Sequence, residues 1–266
     1  MRTITALFVG LGSIGTRHLK NLANLCADRG WTLQADALRS DLTRPLRPGA
    51  AELLHAQYTD PAAAPAHYDM VFITNPTSLH AEALRQVKGR GEALFIEKPI
   101  FSAEQTGLAL DELLPAGQKA YVAAPMRWCG AMLALKDRLP ALHPYCARVI
   151  CSSYLPDWRP GVDYRTVYSA RKALGGGVTI DLIHEWDYLV ELFGVPEKLY
   201  NFKGTYSELE IDSDDLSVYI AKYPTLLAEV HLDYFGRGYR RSIELFCRDG
   251  SYLADFGAGT LTLPDG

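Results

Sequence analysis

The first 123 residues alternate short apolar runs with helical patterns. The run Ile4–Val9 is almost continuously hydrophobic, which predicts a strand buried on both faces. Four more strands are predicted over Leu33–Leu38, Met70–Thr74, Ala93–Ile96 and Ala120–Ala123, and three helices through the leucines at 19, 22 and 25, over Leu79–Val87 and over Ala103–Leu114. Strands that alternate with helices are typical of a parallel sheet joined by crossover helices. Residues 1–123 are therefore predicted to form a doubly wound parallel sheet.

After Met126 the pattern changes. A helix through Met132 and Leu139 precedes a strand at Arg148–Ser153, and an aromatic, charged loop runs from Tyr154 to Leu174. An amphipathic helix over Ile180–Phe193 follows, and it ends at Gly194 and Pro196. Apolar and polar residues then alternate over 216–220, 228–234 and 243–247, which predicts antiparallel strands. Residues 124–266 are predicted to form an α+β domain with an open, largely antiparallel sheet.

A glycine-rich turn follows the first predicted strand directly and opens the first helix. It reads Gly10-Leu11-Gly12-Ser13-Ile14-Gly15. Glycines at this spacing permit a tight turn, close approach of the backbone to a pyrophosphate and close packing of helix on strand, while the helix N-terminus attracts phosphate. The alternative is a small-residue turn without a ligand. Because the strand and helix flank the turn as required, we favour dinucleotide binding by Gly10, Gly12, Ser13, Ile14 and Gly15.

The end of the second predicted strand bears on which dinucleotide binds. An acidic residue there would bind a ribose 2′-hydroxyl, but Asp36 lies inside the strand and Arg39 and Ser40 stand at its end. An arginine and a hydroxyl suit a 2′-phosphate, so NADP(H) is predicted to be preferred, with NAD(H) as the alternative cofactor. A solvated arginine at a strand end is the other interpretation.

Two more predicted strands end in polar segments at the same sheet edge, where open α/β sheets bind ligands. Asn75-Pro76 follows one strand, with His80 shortly after it, and Glu97-Lys98-Pro99 follows the next. A helix cap at Thr77 or Ser78, a structural His80 and an exposed Lys98 are the alternatives. Partial burial and a nearby nicotinamide cation would lower the Lys98 pKa towards acid–base use.

The fourth candidate segment runs from Gly175 to Asp187. Three glycines allow the backbone to approach a ligand or another segment closely. Asp181 and His184 are three residues apart on the predicted helix, so a carboxylate lies beside an imidazole, as a general base near neutral pH requires. Alternatively, Asp181 caps the helix and His184 is a core residue. Their spacing also suits metal ligands, but no further ligand is evident, so no metal is predicted.

Composition narrows the function classes. Lysine and arginine number 27 against 31 acidic residues, for a net charge of −4, which argues against nucleic-acid or anionic-membrane binding. The apolar runs are far shorter than a bilayer span of ~20 residues. Five scattered cysteines fit a reducing compartment, so a cytoplasmic protein is expected.

Taken together, these segments resemble the Gfo/Idh/MocA family of NAD(P)-dependent oxidoreductases, which includes glucose–fructose oxidoreductase and inositol dehydrogenase. The resemblance is carried by the glycine turn, Asn75-Pro76, Glu97-Lys98-Pro99, Met126-Arg127-Trp128 and Gly175 to Asp187. It implies a Rossmann domain, a second α/β domain whose open sheet serves a homodimer or homotetramer, and a cleft for a sugar, polyol or nucleotide-sugar-like substrate. It also implies Lys98, Asp181 and His184 as the catalytic trio and Arg127 near the nicotinamide end.

Two departures from the family pattern bear on these expectations. Asp181 and His184 are three residues apart instead of the commoner four, as in a His-Glu-x-Asp subgroup, and the chain stops at Gly266 within the strand series, so we expect a short or C-terminally truncated member. The loop after Tyr154 is expected to cover the substrate, with Trp158, Arg159 and Tyr164 in contact with it, or else to form an oligomer contact. Two rival functions are a glycosidase that oxidises its substrate transiently and a dinucleotide sensor without catalysis.

Overall fold

Six parallel strands form the sheet of residues 1–123. They are β1 (Thr3–Val9), β2 (Thr32–Leu38), β3 (Leu54–Tyr58), β4 (Tyr68–Ile73), β5 (Gly91–Ile96) and β6 (Lys119–Val122). Their spatial order is β3-β2-β1-β4-β5-β6, with every neighbouring pair parallel. Among the described residues of this range, the α-helices are α1 (Ser13–Asp28), α2 (His80–Gln86) and α3 (Leu110–Leu113). This order confirms the predicted doubly wound sheet.

The continuous apolar runs are explained by burial on both faces of this sheet. Leu7 and Ile73 belong to a core cluster on one side, while Phe8 and Phe72 belong to a cluster on the other. The Phe8 and Phe72 rings stack with centroids 4.5 Å apart. Residues on both faces of a strand must then be hydrophobic, which removes the alternation that marks a half-exposed strand.

The second sheet has seven strands: β7 (Cys146–Tyr154), β8 (Lys198–Gly204), β9 (Leu216–Lys222), β10 (Leu227–Asp233), β11 (Phe235–Cys247), β12 (Gly250–Asp255) and β13 (Thr260–Thr262). Their order is β13-β12-β11-β7-β10-β9-β8, and only the central pair β7–β10 is parallel. The helices are α4 (Gly130–Arg138), α5 (Val178–Asp181) and α6 (His184–Phe193). The prediction of a largely antiparallel second sheet is confirmed.

The single helix predicted over residues 180–193 is wrong. The structure has two helices, α5 and α6, separated by Leu182 and Ile183. At the junction, the Ile183 N–H donates to the Ile180 carbonyl and the Glu185 N–H donates to the Leu182 carbonyl. These hydrogen bonds join residues three apart, as in a 3₁₀ turn. Asp181 therefore ends one helix and His184 begins the next.

The computed structural model describes residues 1–102, 105 and 107–266, and the chain divides into two units, Met1–Ala123 and Ala124–Gly266. Of the helix predicted over 103–114, residues 103, 104 and 106 lie outside the described residues, and α3 covers Leu110–Leu113. Within the part of the chain that the structure describes, no helix has the length and apolarity to cross a membrane.

Candidate active-site residues

Four of the predicted site segments lie at one edge of the first sheet. Gly10 directly follows β1, Arg39 directly follows β2, and Glu97-Lys98 directly follows β5, while one residue separates Asn75 from the end of β4. These four strands are parallel and adjacent, so their carboxyl ends share an edge. The chain order reverses direction between β1 and β4, which is the switch point where open α/β sheets bind ligands.

The three glycines of the turn have three different surroundings. A Cβ at Gly10, where φ is +81°, would lie 2.7 Å from Cα of Asn75, and a Cβ at Gly15 would lie 2.7 Å from the Gly10 carbonyl oxygen. A Cβ at Gly12 would have no protein atom within 4 Å. Gly10 thus serves the turn and Gly15 the packing of α1 on the sheet, while Gly12 leaves the room that a pyrophosphate needs.

The start of α1 also fits an anion. Gly12 precedes the helix and supplies no side-chain cap, and no acidic residue lies in the first turn. Ser13 is exposed and Ile14 is half-buried. Backbone N–H groups at such a helix start have no partner within the helix and attract negative charge. These residues fit the phosphates of a dinucleotide.

The end of β2 carries no acidic side chain. Asp36 is buried within the strand, where its carboxylate accepts a hydrogen bond of 2.8 Å from the Tyr68 hydroxyl and lies 3.1 Å from Nδ1 of His55. Arg39 donates to Oε1 of Gln57 at 2.7 Å and to the Arg44 carbonyl. Ser40 is exposed. The side chain that follows the strand is thus a cation fixed by its neighbours.

His80 lies in the interior of the first unit. The residue is 1% exposed, with Nε2 at 2.9 Å from the Asn75 carbonyl and Nδ1 at 3.2 Å from the Ile100 carbonyl. Burial lowers the pKa of His80, and the hydrogen bonds to these carbonyls oppose that shift. The ring thus ties the Asn75 turn to the segment after Lys98. Asn75 has a buried Oδ1 without a hydrogen-bond partner among the described residues, and Pro76 is exposed.

Glu97 is held by a residue that the sequence did not single out. Nε2 of His18, on α1, lies 2.6 Å from Oε1 of Glu97, and Oε2 of Glu97 accepts the Lys98 backbone N–H at 3.2 Å. Lys98 itself is half-buried. The carboxylate thus connects α1 to the backbone of Lys98.

In the second unit, two of the three motif glycines, Gly176 and Gly177, pack against other parts of the chain. A Cβ at Gly176 would lie 2.1 Å from the Tyr168 carbonyl oxygen. Gly177, with φ +123°, would place a Cβ 2.5 Å from Oδ1 of Asp214, whose Oδ2 accepts the N–H and hydroxyl protons of Thr179. The motif was expected to allow close approach of either a ligand or another chain segment, and close approach of another segment explains the glycines at 176 and 177.

Asp181 is 5% exposed and is held by two tyrosines. The Tyr168 hydroxyl donates to Oδ1, and the Tyr234 hydroxyl donates to Oδ2 at 2.6 Å. Burial, followed by the Asp181 charge, raises the pKa of Tyr234 well above its usual value. His184 is half-buried at the first position of α6. The tyrosines lie 13 and 53 residues from Asp181, so the local motif held no signal of either.

Ion pairs hold Glu185 and Asp187, the first two carboxylates of α6 after His184. Glu185 is fully buried, and Arg241 of β11 donates to both its oxygens, at 2.6 and 3.2 Å. Burial raises the pKa of Glu185, and the Arg241 charge opposes this shift. Arg127 donates from Nε and Nη2 to the two oxygens of Asp187. Arg127 thus contacts α6 directly, and its predicted contact with cofactor stays a prediction.

The residues predicted to cover the substrate differ in exposure. Trp158 packs edge-on against Tyr234, with centroids 5.3 Å apart, and its indole N–H donates to Oγ of Ser153 at 3.0 Å. Tyr164 is half-buried, and its hydroxyl accepts the Glu210 N–H. Arg159 is exposed. Trp158 therefore supports a tyrosine that holds Asp181. The described residues contain no group of three or more potential metal ligands.

Solved structures with the same fold are numerous, whereas no curated protein matches the chain. The WlbA dehydrogenase from Bordetella pertussis, solved with NADH and UDP-GlcNAcA, superimposes with a TM-score of 0.79 at 17% identity and covers 98% of this chain and 82% of its own. Levoglucosan dehydrogenase in complex with NADH gives 0.78 at 17% identity, with coverages of 97% and 74%. The myo-inositol 2-dehydrogenase from Lactobacillus plantarum gives 0.77 at 20% identity, with coverages of 95% and 76%.

A family model covers nearly the whole first unit. It matches residues 4–123 and describes an oxidoreductase family with an NAD-binding Rossmann fold. The glycine turn, Asn75-Pro76 and Glu97-Lys98-Pro99 all fall inside the matched range. Over the first unit the chain thus matches the model of the Gfo/Idh/MocA family of oxidoreductases, which is the family that the sequence was predicted to resemble.

Proposed function

We propose that this chain transfers hydride between a nicotinamide dinucleotide and a carbinol or carbonyl carbon of a sugar, polyol or nucleotide sugar. The observation that carries the proposal is the glycine turn, in which Gly12 alone of the three motif glycines leaves space beside the start of α1. The backbone N–H groups of that turn hold the pyrophosphate. When bound, the nicotinamide supplies or accepts the hydride.

The proton chemistry in this proposal belongs to Lys98 and His184. Lys98 donates a hydrogen bond to the substrate oxygen and positions the cofactor ribose, and His184 takes or returns the hydroxyl proton. Asp181 orients His184 while two tyrosines fix its carboxylate. Arg127, Trp158, Arg159 and Tyr164 stay the proposed further contacts to the substrate, and Asn75, Pro76 and Glu97 the further cofactor residues. The buried His80 would act on the cofactor only through the Asn75 turn.

For the cofactor, the proposal favours NADP(H) over NAD(H). The side chains after β2 are Arg39 and Ser40, and the Arg39 guanidinium is held by Gln57 and the Arg44 carbonyl. A positioned guanidinium suits a 2′-phosphate, whereas the buried Asp36 is already engaged by Tyr68 and His55. NADH in two of the similar structures makes NAD(H) the cofactor to compare.

We also propose that the open face of the second sheet joins two copies of the chain. Tyr200 and Phe202 of the edge strand β8 are 62% and 75% exposed, and large exposed apolar side chains of this kind mark interaction surfaces. A cavity of about 550 Å³ on the same face is lined by residues of both charges, among them Arg148, Glu229 and Arg240. Mixed charge suits a surface that pairs with itself. Phe202→Asp should shift the chain to a monomer in light scattering, and an unchanged mass would refute this interface.

The test of the activity begins with thermal shift of the full chain with NADPH, NADH and no nucleotide. Sugars, polyols and nucleotide sugars are then screened for absorbance change of the nicotinamide, with UDP-GlcNAcA included because the WlbA structure contains it. Stabilisation by NADPH together with net change of the nicotinamide supports the proposal. Product formation without net change indicates transient oxidation, and binding without turnover indicates a sensor.

A further inference from the structure

Lys98 lies between two contacts that the proposed mechanism does not use, and both involve a histidine. His18 contacts Glu97, the residue before Lys98, and His80 contacts the Ile100 carbonyl, two residues after it. His18 belongs to α1, which follows the glycine turn, and His80 belongs to α2, which follows the Asn75 turn. The segment that carries Lys98 is thus fixed at both ends.

The contact through His18 is short and shielded. The Nε2 to Oε1 distance is 2.6 Å, and the two side chains are 18% and 12% exposed. A hydrogen bond to a carboxylate is strong, and shielding from water strengthens it further. On its other side the His18 ring packs on Phe95, with centroids 4.8 Å apart. The hydrogen bond and the ring contact together hold the imidazole with Nε2 towards Glu97.

Glu97 passes this constraint to the next residue. Its N–H bonds to the Ile73 carbonyl at 3.0 Å, which extends the sheet beyond β5, and its second carboxylate oxygen accepts the Lys98 N–H. Because His18 holds the Glu97 carboxylate in place, the carboxylate in turn fixes the position of the Lys98 backbone nitrogen. We propose that His18 is a positioning residue for Lys98, acting through the Glu97 carboxylate. This inference rests on the proposed function, because it assigns His18 a part in placing the lysine that acts on the substrate.

The test uses two substitutions that separate the ring from its hydrogen bond. His18→Phe keeps a ring against Phe95 but has no donor, and His18→Gln keeps a nitrogen donor near the Nε2 position. In the full-length protein, acetylation of Lys98 by acetic anhydride is followed by peptide mass spectrometry between about pH 7 and 10, where lysine reactivity follows its neutral fraction. The exposed Lys119 is the internal reference.

We expect the Lys98-to-Lys119 rate ratio to change at least ~3-fold in His18→Phe and to remain within ~1.5-fold of wild type in His18→Gln. Rescue by glutamine identifies the hydrogen bond as the cause, since loss of ring packing would not be repaired. An unchanged ratio in His18→Phe, or an equal change in both variants, would overturn the inference.

Glu97→Ala gives a second measurement if His18→Phe fails to fold. It must by itself change the Lys98-to-Lys119 rate ratio at least ~3-fold. Where both single variants fold, the double variant must not exceed the larger single effect, because both substitutions break one connection. Additive effects contradict the proposal. Labelling needs neither nucleotide nor turnover, so failure of the wild-type chain to bind NADPH or NADH would refute the proposed function alone.

Discussion

Replacing Gly12 by alanine separates nucleotide binding from folding. Gly12 has an extended backbone with φ −78°, outside the left-handed region that favours glycine, and a Cβ there would meet no protein atom within 4 Å. The methyl group therefore costs the fold little. If a pyrophosphate lies against this turn, however, the methyl occupies the space that the ligand needs.

The two effects differ enough in size to be resolved. Alanine is a poorer residue than glycine before a helix, and the free energy of unfolding should fall by less than ~1 kcal/mol. Displacing the pyrophosphate from two backbone N–H groups loses hydrogen bonds worth ~1.5 kcal/mol each, or ~3 kcal/mol in total. Because 1.4 kcal/mol corresponds to a tenfold change, affinity for NADPH should fall by ~10²-fold.

Urea unfolding without nucleotide and fluorescence titration with NADPH measure the two quantities separately. Gly15→Ala is the matched control, because its methyl would press on the Gly10 carbonyl at 2.7 Å and should cost ~1–3 kcal/mol of stability. A Gly12→Ala protein that binds NADPH and NADH as tightly as wild type would refute the proposed cofactor site.

Four further outcomes follow from the same geometry. Arg39→Ala should lower the ratio of NADPH to NADH affinity by ~10-fold, measured by fluorescence titration, and an unchanged ratio contradicts the assignment of the 2′-phosphate. Lys98→Ala and His184→Ala should each lose ~10²-fold in turnover while retaining NADPH binding, so wild-type turnover in both speaks against their roles. Glu185→Ala should cost ~3–5 kcal/mol of unfolding free energy in urea, because its buried guanidinium partner loses its counter-charge, and a loss below ~1 kcal/mol would show the pair to be dispensable. Burial lowers the pKa of His80 from its ordinary value of 6.5, so the unfolded chain binds the proton more tightly than the folded chain. The free energy of unfolding should therefore decrease as the pH drops below 6.5. In His80→Gln the denaturation midpoint should depend less on pH than in wild type, and an equal pH dependence in both contradicts this reasoning.

Most of the strands that were predicted correctly are buried strands whose local sequence shows a run or an alternation of apolar residues. Ile4–Val9 lies between two core clusters and is apolar throughout, so its sequence alone identifies a central strand. Four strands, β3, β8, β12 and β13, were given no predicted range, and three of them (β3, β8 and β13) are edge strands. Every residue of β8 but the last is exposed, so neither face of this strand is buried in the core of the chain, and the strand is placed by its pairing with β9.

Motif positions were predictable, but their partners were not. The glycine turn and Glu97-Lys98-Pro99 stand out locally because their chemistry depends on short spacing. The partner of Glu97 is 79 residues away on α1, and the partner of Glu185 is 56 residues away on β11. Such pairs depend on the tertiary fold, and one sequence contains no periodicity that reveals them. The break between α5 and α6 escaped for the same reason, since hydrophobic spacing continues across it.

The carboxylates of the two motifs are occupied by donors, and this constrains the choice of general base. Glu97 accepts the Lys98 N–H and contacts His18, Asp181 accepts two tyrosine hydroxyls, and Glu185 pairs with Arg241. Withdrawing one of these donors to free a lone pair of the carboxylate would leave a buried polar group unsatisfied. The motif carboxylates are therefore better suited to hold their neighbours than to take the substrate proton. Within the proposed mechanism, proton transfer is left to the amine of Lys98 and the imidazole of His184.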